Sequence, residues 1–333
     1  MYYLSRRIKG HNVIIISIFL LVLITSSFGS TTVHYAYGQA SQANSDKNNN
    51  NTNLLNVQNI PAKKVHVEDI DIAYKVFGKG DPFLLISGSG LVMDAWDSFV
   101  LRDLSSNHTV IIFDNRGVGN TTAGIKPFSI VQFANDTAGL LDALKIQKAD
   151  VLGFSMASFV AQELALLHPE KVNRLILYGA SCGGKENIPQ SPEVVKILSD
   201  VVNNRLQDPE KALSVTFPLS WIKSHPHFTF PQPKETISPG TLKQQFNIVE
   251  DWFATNWSGI CSQLSKISIP TLVITGEDVA VPPANSLIIA AKIPGSWLVQ
   301  IKGAGHGLMY QYPEKLSKVL QTFLTTTTII PSS

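Results

Sequence analysis

The sequence predicts an α/β protein, with a mostly parallel central sheet, helices on both faces and a helical insertion. Three observations carry this. Continuous apolar runs of strand length recur along the chain, helix-patterned segments separate several of them, and glycine-rich loops end several of the runs. A chain of 333 residues that is 44% hydrophobic has enough apolar side chains for a large core.

The elements follow in order. "VHVEDIDIAYKVFG" alternates apolar and polar residues and predicts one or two half-exposed strands. "PFLLISGSG" and "HTVIIFDNRGVGN" each predict a buried strand ended by a glycine-rich loop. Ile130, Phe133, Thr137, Leu140, Leu141 and Leu144 share one helical face. "ADVLGFS" is the next buried strand, and "ASFVAQELALLHP" a helix stopped by Pro169. "VNRLILYGA", "PTLVITG" and "SWLVQIKGAG" supply the remaining strands. A helix over about Pro283 to Lys292 divides the last two, and Leu316, Val319, Leu320 and Phe323 mark a closing helix.

The N-terminal end has a different character. Arg6, Arg7 and Lys9 precede an apolar run from Val13 to Leu23, then small residues ending "AYGQA", the layout of a secretory signal over residues 1–40. The run is shorter than the ~20 residues of a membrane-spanning helix, so cleavage after Ala40 is expected, with an uncleaved anchor as the alternative. Residues 41–62, rich in asparagine, read as a disordered linker, and the core is expected over 63–182 and 263–326. The formal charge of +2 falls to −1 once the three basic residues leave, so nothing attracts nucleic acid. An exported chain permits a bridge between Cys182 and Cys261, but spacing leaves the pairing open. Asn107, Asn120, Asn135 and Asn256 each open a glycosylation sequon.

Residues 183–262 break the rhythm. They hold several prolines, helix-like pieces and many aromatics, among them Phe217, Trp221, Phe246, Trp252 and Trp257, but no convincing buried strand. An insertion of this kind between two strands is expected to form a helical lid over the strand ends, where open α/β sheets bind ligands. Most of its aromatics should form the lid's own small core. Some should face the crevice and favour a small-molecule substrate with an apolar part.

The chemistry centres on "VLGFSMASF". A buried strand turning sharply into a helix projects Ser155 at the sheet's carboxyl edge, and such a turn needs small residues at Gly153 and Ala157. Taken alone, Ser155 is as readily a helix cap. A serine nucleophile also needs a base and an acid. His306 of "IKGAGHGLM" follows the last strand between Gly305 and Gly307, which permit the backbone to turn. "VITGEDVAVPP" offers Asp278 at another strand end, with adjacent Glu277 in reserve. The order serine, acid, histidine, each after its own strand, outweighs any single motif.

"GFSMA", "DNRGVGNT", "GEDVAVP" and "GAGHG" together resemble the α/β-hydrolase family, over about Val65 to Leu324. The resemblance implies a serine hydrolase with Ser155, Asp278 and His306 as catalytic residues and no cofactor or metal. It also implies an oxyanion hole from the backbone N–H groups of Ser89 and Met156. Asp114 and Arg116 match the family's structural turn. Two departures stand out: Ser87-Gly88 replaces the usual His-Gly, which removes a support of the oxyanion loop, and Ala157 replaces a usual glycine.

The leading expectation is therefore a secreted, extracytoplasmic hydrolase of carboxylic esters or lactones, in contact with a membrane only if the anchor stays. The same triad also serves aminopeptidases, carbon–carbon hydrolases and cofactor-free perhydrolases. An aminopeptidase would need a lid carboxylate, for which Glu235, Glu250 and Asp251 are candidates. A ligand-binding protein without catalysis is the reading from another class. His225 and His227 lack a third ligand at metal-binding spacing.

Overall fold

The computed structural model describes residues 57–277 and 279–326. The proposed signal and most of the asparagine-rich linker lie outside the described residues. Among those described, no helix is long and apolar enough to cross a membrane.

The chain runs β1 (Lys63–Val67), β2 (Ile70–Gly78), β3 (Asp81–Ile86), α1 (Ser98–Ser105), β4 (His108–Phe113), α2 (Ile130–Ala143), β5 (Ala149–Phe154) and α3 (Met156–Leu167). After β6 (Val172–Tyr178) come α4 (Pro192–Val202), α5 (Pro209–Leu213), α6 (Leu219–Ser224) and α7 (Pro239–Phe253). The core closes with β7 (Thr271–Thr275), α8 (Pro283–Lys292), β8 (Trp297–Gln300), α9 (Leu308–Gln311) and α10 (Pro313–Thr326).

The eight strands form one sheet in the order β1-β2-β4-β3-β5-β6-β7-β8. β1 and β2 join antiparallel, as does β2 with β4, and every other neighbouring pair is parallel. Alternation along β3 shows why its whole run is apolar. Phe83 and Leu85 pack on one face with residues of α1 and α10, while Leu84 and Ile86 pack on the other with residues of α2, α3 and α8. A strand covered on both faces has no side left for polar residues.

β4 lies on one side of β3 and β5 on the other, so the loops leaving β3 and β5 diverge at a topological switch point. This opens a crevice at the carboxyl ends of the two central strands.

Packing begins earlier than residue 63. Val57–Asn59 form a 3₁₀ turn with Val57 buried, and the Val57 carbonyl accepts from Lys75 Nζ at 3.0 Å. That ammonium is itself buried and paired with Asp94 at 2.7 Å. The contact ties the end of the expected linker to the sheet.

The segment between β6 and β7 contains α4 to α7 and no strand of the sheet. Its two ends are joined by a disulfide between Cys182 and Cys261, with Cα atoms 5.0 Å apart, which resolves the pairing that spacing left open. Phe217, Trp221 and Phe230 form a separate small core with Phe228 and Tyr310 packed against it.

Candidate active site

Ser155 follows β5 directly and precedes the first residue of α3. Its backbone has φ 57° and ψ −126°, a conformation that a non-glycine residue adopts only under constraint. Its N–H donates to Tyr178 O at 2.9 Å and its carbonyl accepts from Ser158 N at 2.8 Å, so both sides of the turn are held. The side chain makes no capping bond to α3. Ser155 thus occupies the cap position of α3 without using its side chain as a cap.

The neighbours explain the local sequence. A Cβ on Gly153 would lie 2.2 Å from Ala157 O and 2.8 Å from Ala161 Cβ, so the strand can approach α3 only with glycine there. A Cβ on Gly88 would sit 3.1 Å from Ser155 Cβ. The loop after β3 thus passes directly against the serine.

His306 lies 151 positions further on. Its Nε2 is 2.9 Å from Ser155 Oγ, and the residue is 1% exposed. The Phe154 ring packs against the imidazole at 4.9 Å. Tyr178 OH donates to the His306 carbonyl. Gly305 N donates to Gln311 Oε1 at 2.6 Å and Gly307 N to Thr216 O at 2.9 Å, so the loop is anchored on both sides of the imidazole.

The flanking glycines serve a different purpose from the turning freedom that the sequence suggests. Neither has a positive φ. A Cβ on Gly305 would instead lie 2.5 Å from Thr216 O, and one on Gly307 2.2 Å from Phe217 Cε1. They are small because the segment between β6 and β7 packs directly on the histidine loop.

Asp278 lies outside the described residues. Its neighbour Glu277 is exposed and accepts from Gly303 N at 3.1 Å, a contact that joins the loops after β7 and β8.

Ser89 and Met156 flank the same crevice. Met156 is the first residue of α3, one of the positions whose N–H has no partner within the helix. Ser89 is buried and shares a pocket wall with Ser155 and His306. The loop after β3 is held by Asn115, whose Nδ2 donates to Ser87 O at 2.8 Å, and by Gln245 of α7, which the sequence does not single out. Its Oε1 accepts from Gly90 N at 2.8 Å and lies 3.4 Å from Ser89 Oγ. Gln245 is fully buried. Its only sequence signal is a glutamine on the apolar side of a helix in the insertion.

The pocket is apolar and tight. Phe159, Leu198, Phe246, Val249, Phe253 and Val281 line it beside Ser89, Ser155 and His306. Its cavity volume is about 20 Å³, room for about one water. None of Glu235, Glu250 and Asp251 is among the lining residues.

Asp114 and Arg116 are architectural. Asp114 accepts from Met93 N at 2.8 Å and Asn120 N at 3.1 Å, and burial raises its pKa to about 6 against the pull of these bonds. Arg116 is buried between Asp69 and Asp136, with charge-assisted bonds to both. Among the described residues, the acidic group Glu68, Asp69 and Asp136 is the one cluster with metal-binding proximity, and Arg116 and Lys126 already neutralise it. His225 stacks on Trp221 at 4.2 Å in the insertion's own core region.

The comparisons agree with this architecture. The family model for the alpha/beta hydrolase fold matches residues 81–313, and the chain belongs to that family. A poly(3-hydroxyalkanoate) depolymerase of Ectopseudomonas oleovorans is 26% identical over 248 residues, which cover 73% of this chain and 84% of the relative. Among solved structures, an alpha/beta hydrolase fold protein from Chitinophaga pinensis superposes with a TM-score of 0.67 at 24% identity, covering 81% of this chain and 99% of that one. Est816, described as an N-acyl homoserine lactone degrading enzyme, superposes at 0.63 with 26% identity, covering 79% of this chain and all of the other. The chain is an enzyme of the hydrolase class.

Proposed function

We propose that the protein is an exported serine hydrolase of carboxylic esters or lactones. One observation carries the reading: Ser155 Oγ and His306 Nε2 meet at 2.9 Å on a strained strand-to-helix turn that opens into an apolar pocket. The depolymerase relative and the lactone-degrading neighbour are named for chemistry of this kind.

In the reaction, His306 Nε2 takes the Ser155 proton as Oγ bonds to the acyl carbon. The developing oxyanion is held by the N–H groups of Met156 and Ser89, each donor lowering the barrier by about 3 kcal/mol. Collapse breaks the acyl–oxygen bond, and His306 returns the proton to the leaving alkoxide. A water then gives its proton to His306 as it attacks the acyl carbon, and His306 passes that proton to Ser155 Oγ as the acyl–Oγ bond breaks, which releases the acid and free Ser155. Asp278 is proposed as the acid that orients His306. No step calls for a cofactor or metal.

The lining favours an apolar acyl group. Room for one water means that α4 and α7, which supply Leu198, Phe246, Val249 and Phe253, must move as a lid before a substrate enters. Among the described residues no carboxylate lines the pocket, which argues against an aminopeptidase, since that activity would have to hold a substrate amine. The Cys182–Cys261 bridge supports an oxidising compartment and thus export.

The test is labelling with a fluorophosphonate followed by peptide mapping, alongside turnover of small aryl esters. A single adduct on Ser155, and loss of turnover in a folded Ser155→Ala variant, are expected. Turnover retained by Ser155→Ala would overturn the assignment.

A further inference from the structure

A second cavity, of about 470 Å³, lies between the start of α2, the middle of α3 and the end of α7. Its volume falls within the range of small-molecule sites and far exceeds that of the pocket at Ser155. The two do not merge: Phe159 lines the pocket at Ser155 and stacks at 5.0 Å on Trp252, which lines this one.

The walls combine aromatic rings with acid. Trp252, Trp257 and Phe128 supply the rings, and Glu163 and Asp251 the carboxylates, with no lysine, arginine or histidine among the described residues of the lining. Glu163 is 9% exposed and has no hydrogen-bond or ion-pair partner among the described residues. Its carboxylate oxygens open into the cavity, and burial of the residue raises its pKa, with no cation or hydrogen bond among the described residues to oppose the shift. The indole of Trp252 is held by its Nε1–H bond to Ser181 O at 3.1 Å, which fixes one wall. The cavity also borders the C-terminal end of α7, where the helix presents partial negative charge. The first turn of α2 faces it too, but Ser129 Oγ already accepts the Gln132 amide there.

We propose that this cavity binds an organic ammonium ion, with its charge against Glu163 and its alkyl groups against the faces of Trp252, Trp257 and Phe128. A cation supplies the partner Glu163 lacks, and indole faces attract alkylammonium groups. An anion would meet two carboxylates, and a neutral apolar ligand would leave Glu163 unpaired.

The probe is choline, compared with its neutral carbon isostere 3,3-dimethylbutan-1-ol, in titrations of the full protein followed by tryptophan fluorescence and calorimetry. Choline is expected to bind in the millimolar range and about tenfold or more tighter than the isostere. Glu163→Gln should erase most of that difference. Asp251→Lys, at an exposed helix position that the fold does not depend on, should weaken choline about tenfold as well. Protein labelled with fluorophosphonate should bind choline unchanged. Equal binding of choline and isostere, no binding of choline, indifference to both substitutions, or loss of binding on labelling would each overturn the proposal.

Discussion

Removing the Cys182–Cys261 bridge should cost the protein a large share of its stability. The cysteines stand 79 positions apart in sequence and join the two ends of the inserted segment, one just after β6 and the other before β7. Closing a loop of that length removes entropy from the unfolded chain equivalent to about 4.5 kcal/mol at 25 °C. Both cysteines are buried, so Cys182→Ala with Cys261→Ala also loses packing, which acts in the same direction. For a domain of this size the loss translates to a melting temperature lower by about 10 °C or more. Scanning calorimetry of the double variant against the wild type, with the bridge verified by mass spectrometry, reads it directly. Two backbone bonds also close the neck, Ile260 N to Cys182 O at 3.0 Å and Lys185 N to Trp257 O at 3.1 Å. Melting temperatures within about 2 °C of each other would mean that these bonds hold the neck unaided, and would refute the loop-entropy argument.

Gln245→Leu should leave the fold intact and lower kcat for aryl esters about tenfold or more with little change in KM, because the Gly90 N–H loses its acceptor and the loop carrying Ser89 loosens. Gln245→Glu, which keeps the acceptor, should retain more activity, and equal kcat in both variants would refute the positioning role. Lys75→Met should destabilise the protein by about 3–5 kcal/mol in urea unfolding, since Asp94 would be left buried and unpaired. Lys75→Met with Asp94→Leu should recover most of the loss, and no recovery would show that the lysine matters for another reason. Asp114 has a folded pKa of about 6, above its ordinary 3.8, so its contribution is fully present below about pH 4 and is lost as pH rises through 6. The stability advantage of wild type over Asp114→Asn should therefore shrink between pH 4 and pH 6, and an advantage that grows over this window would contradict the burial argument.

Much of the site was legible because its chemistry is tied to strand ends. The apolar runs before Ser155 and His306 place each at a sheet edge, and the small residues around Ser155 mark a turn too tight for side chains. The helix read over Pro283 to Lys292 has those same bounds in the structure. Other features had no local signature. α1 was not read from the sequence, although Asp97 caps it by accepting from Phe99 N and Val100 N. Gln245 could not be tied to the loop at Ser89 because 156 positions separate it from that serine. The glycines around His306 invite a conformational explanation, whereas their reason is the surface of a segment some ninety positions earlier.

Sequence alone determined the order of elements, the class of sheet and the pairing of an elbow serine with a histidine at another strand end, because burial on both faces and tight turns restrict residue type locally. Tertiary structure alone decided which residues support the loop at Ser89, that Cys182 meets Cys261, how tightly the insertion closes over Ser155, and that Glu163 faces a second cavity. Those facts depend on distances between elements remote in the chain, which spacing along the sequence does not encode.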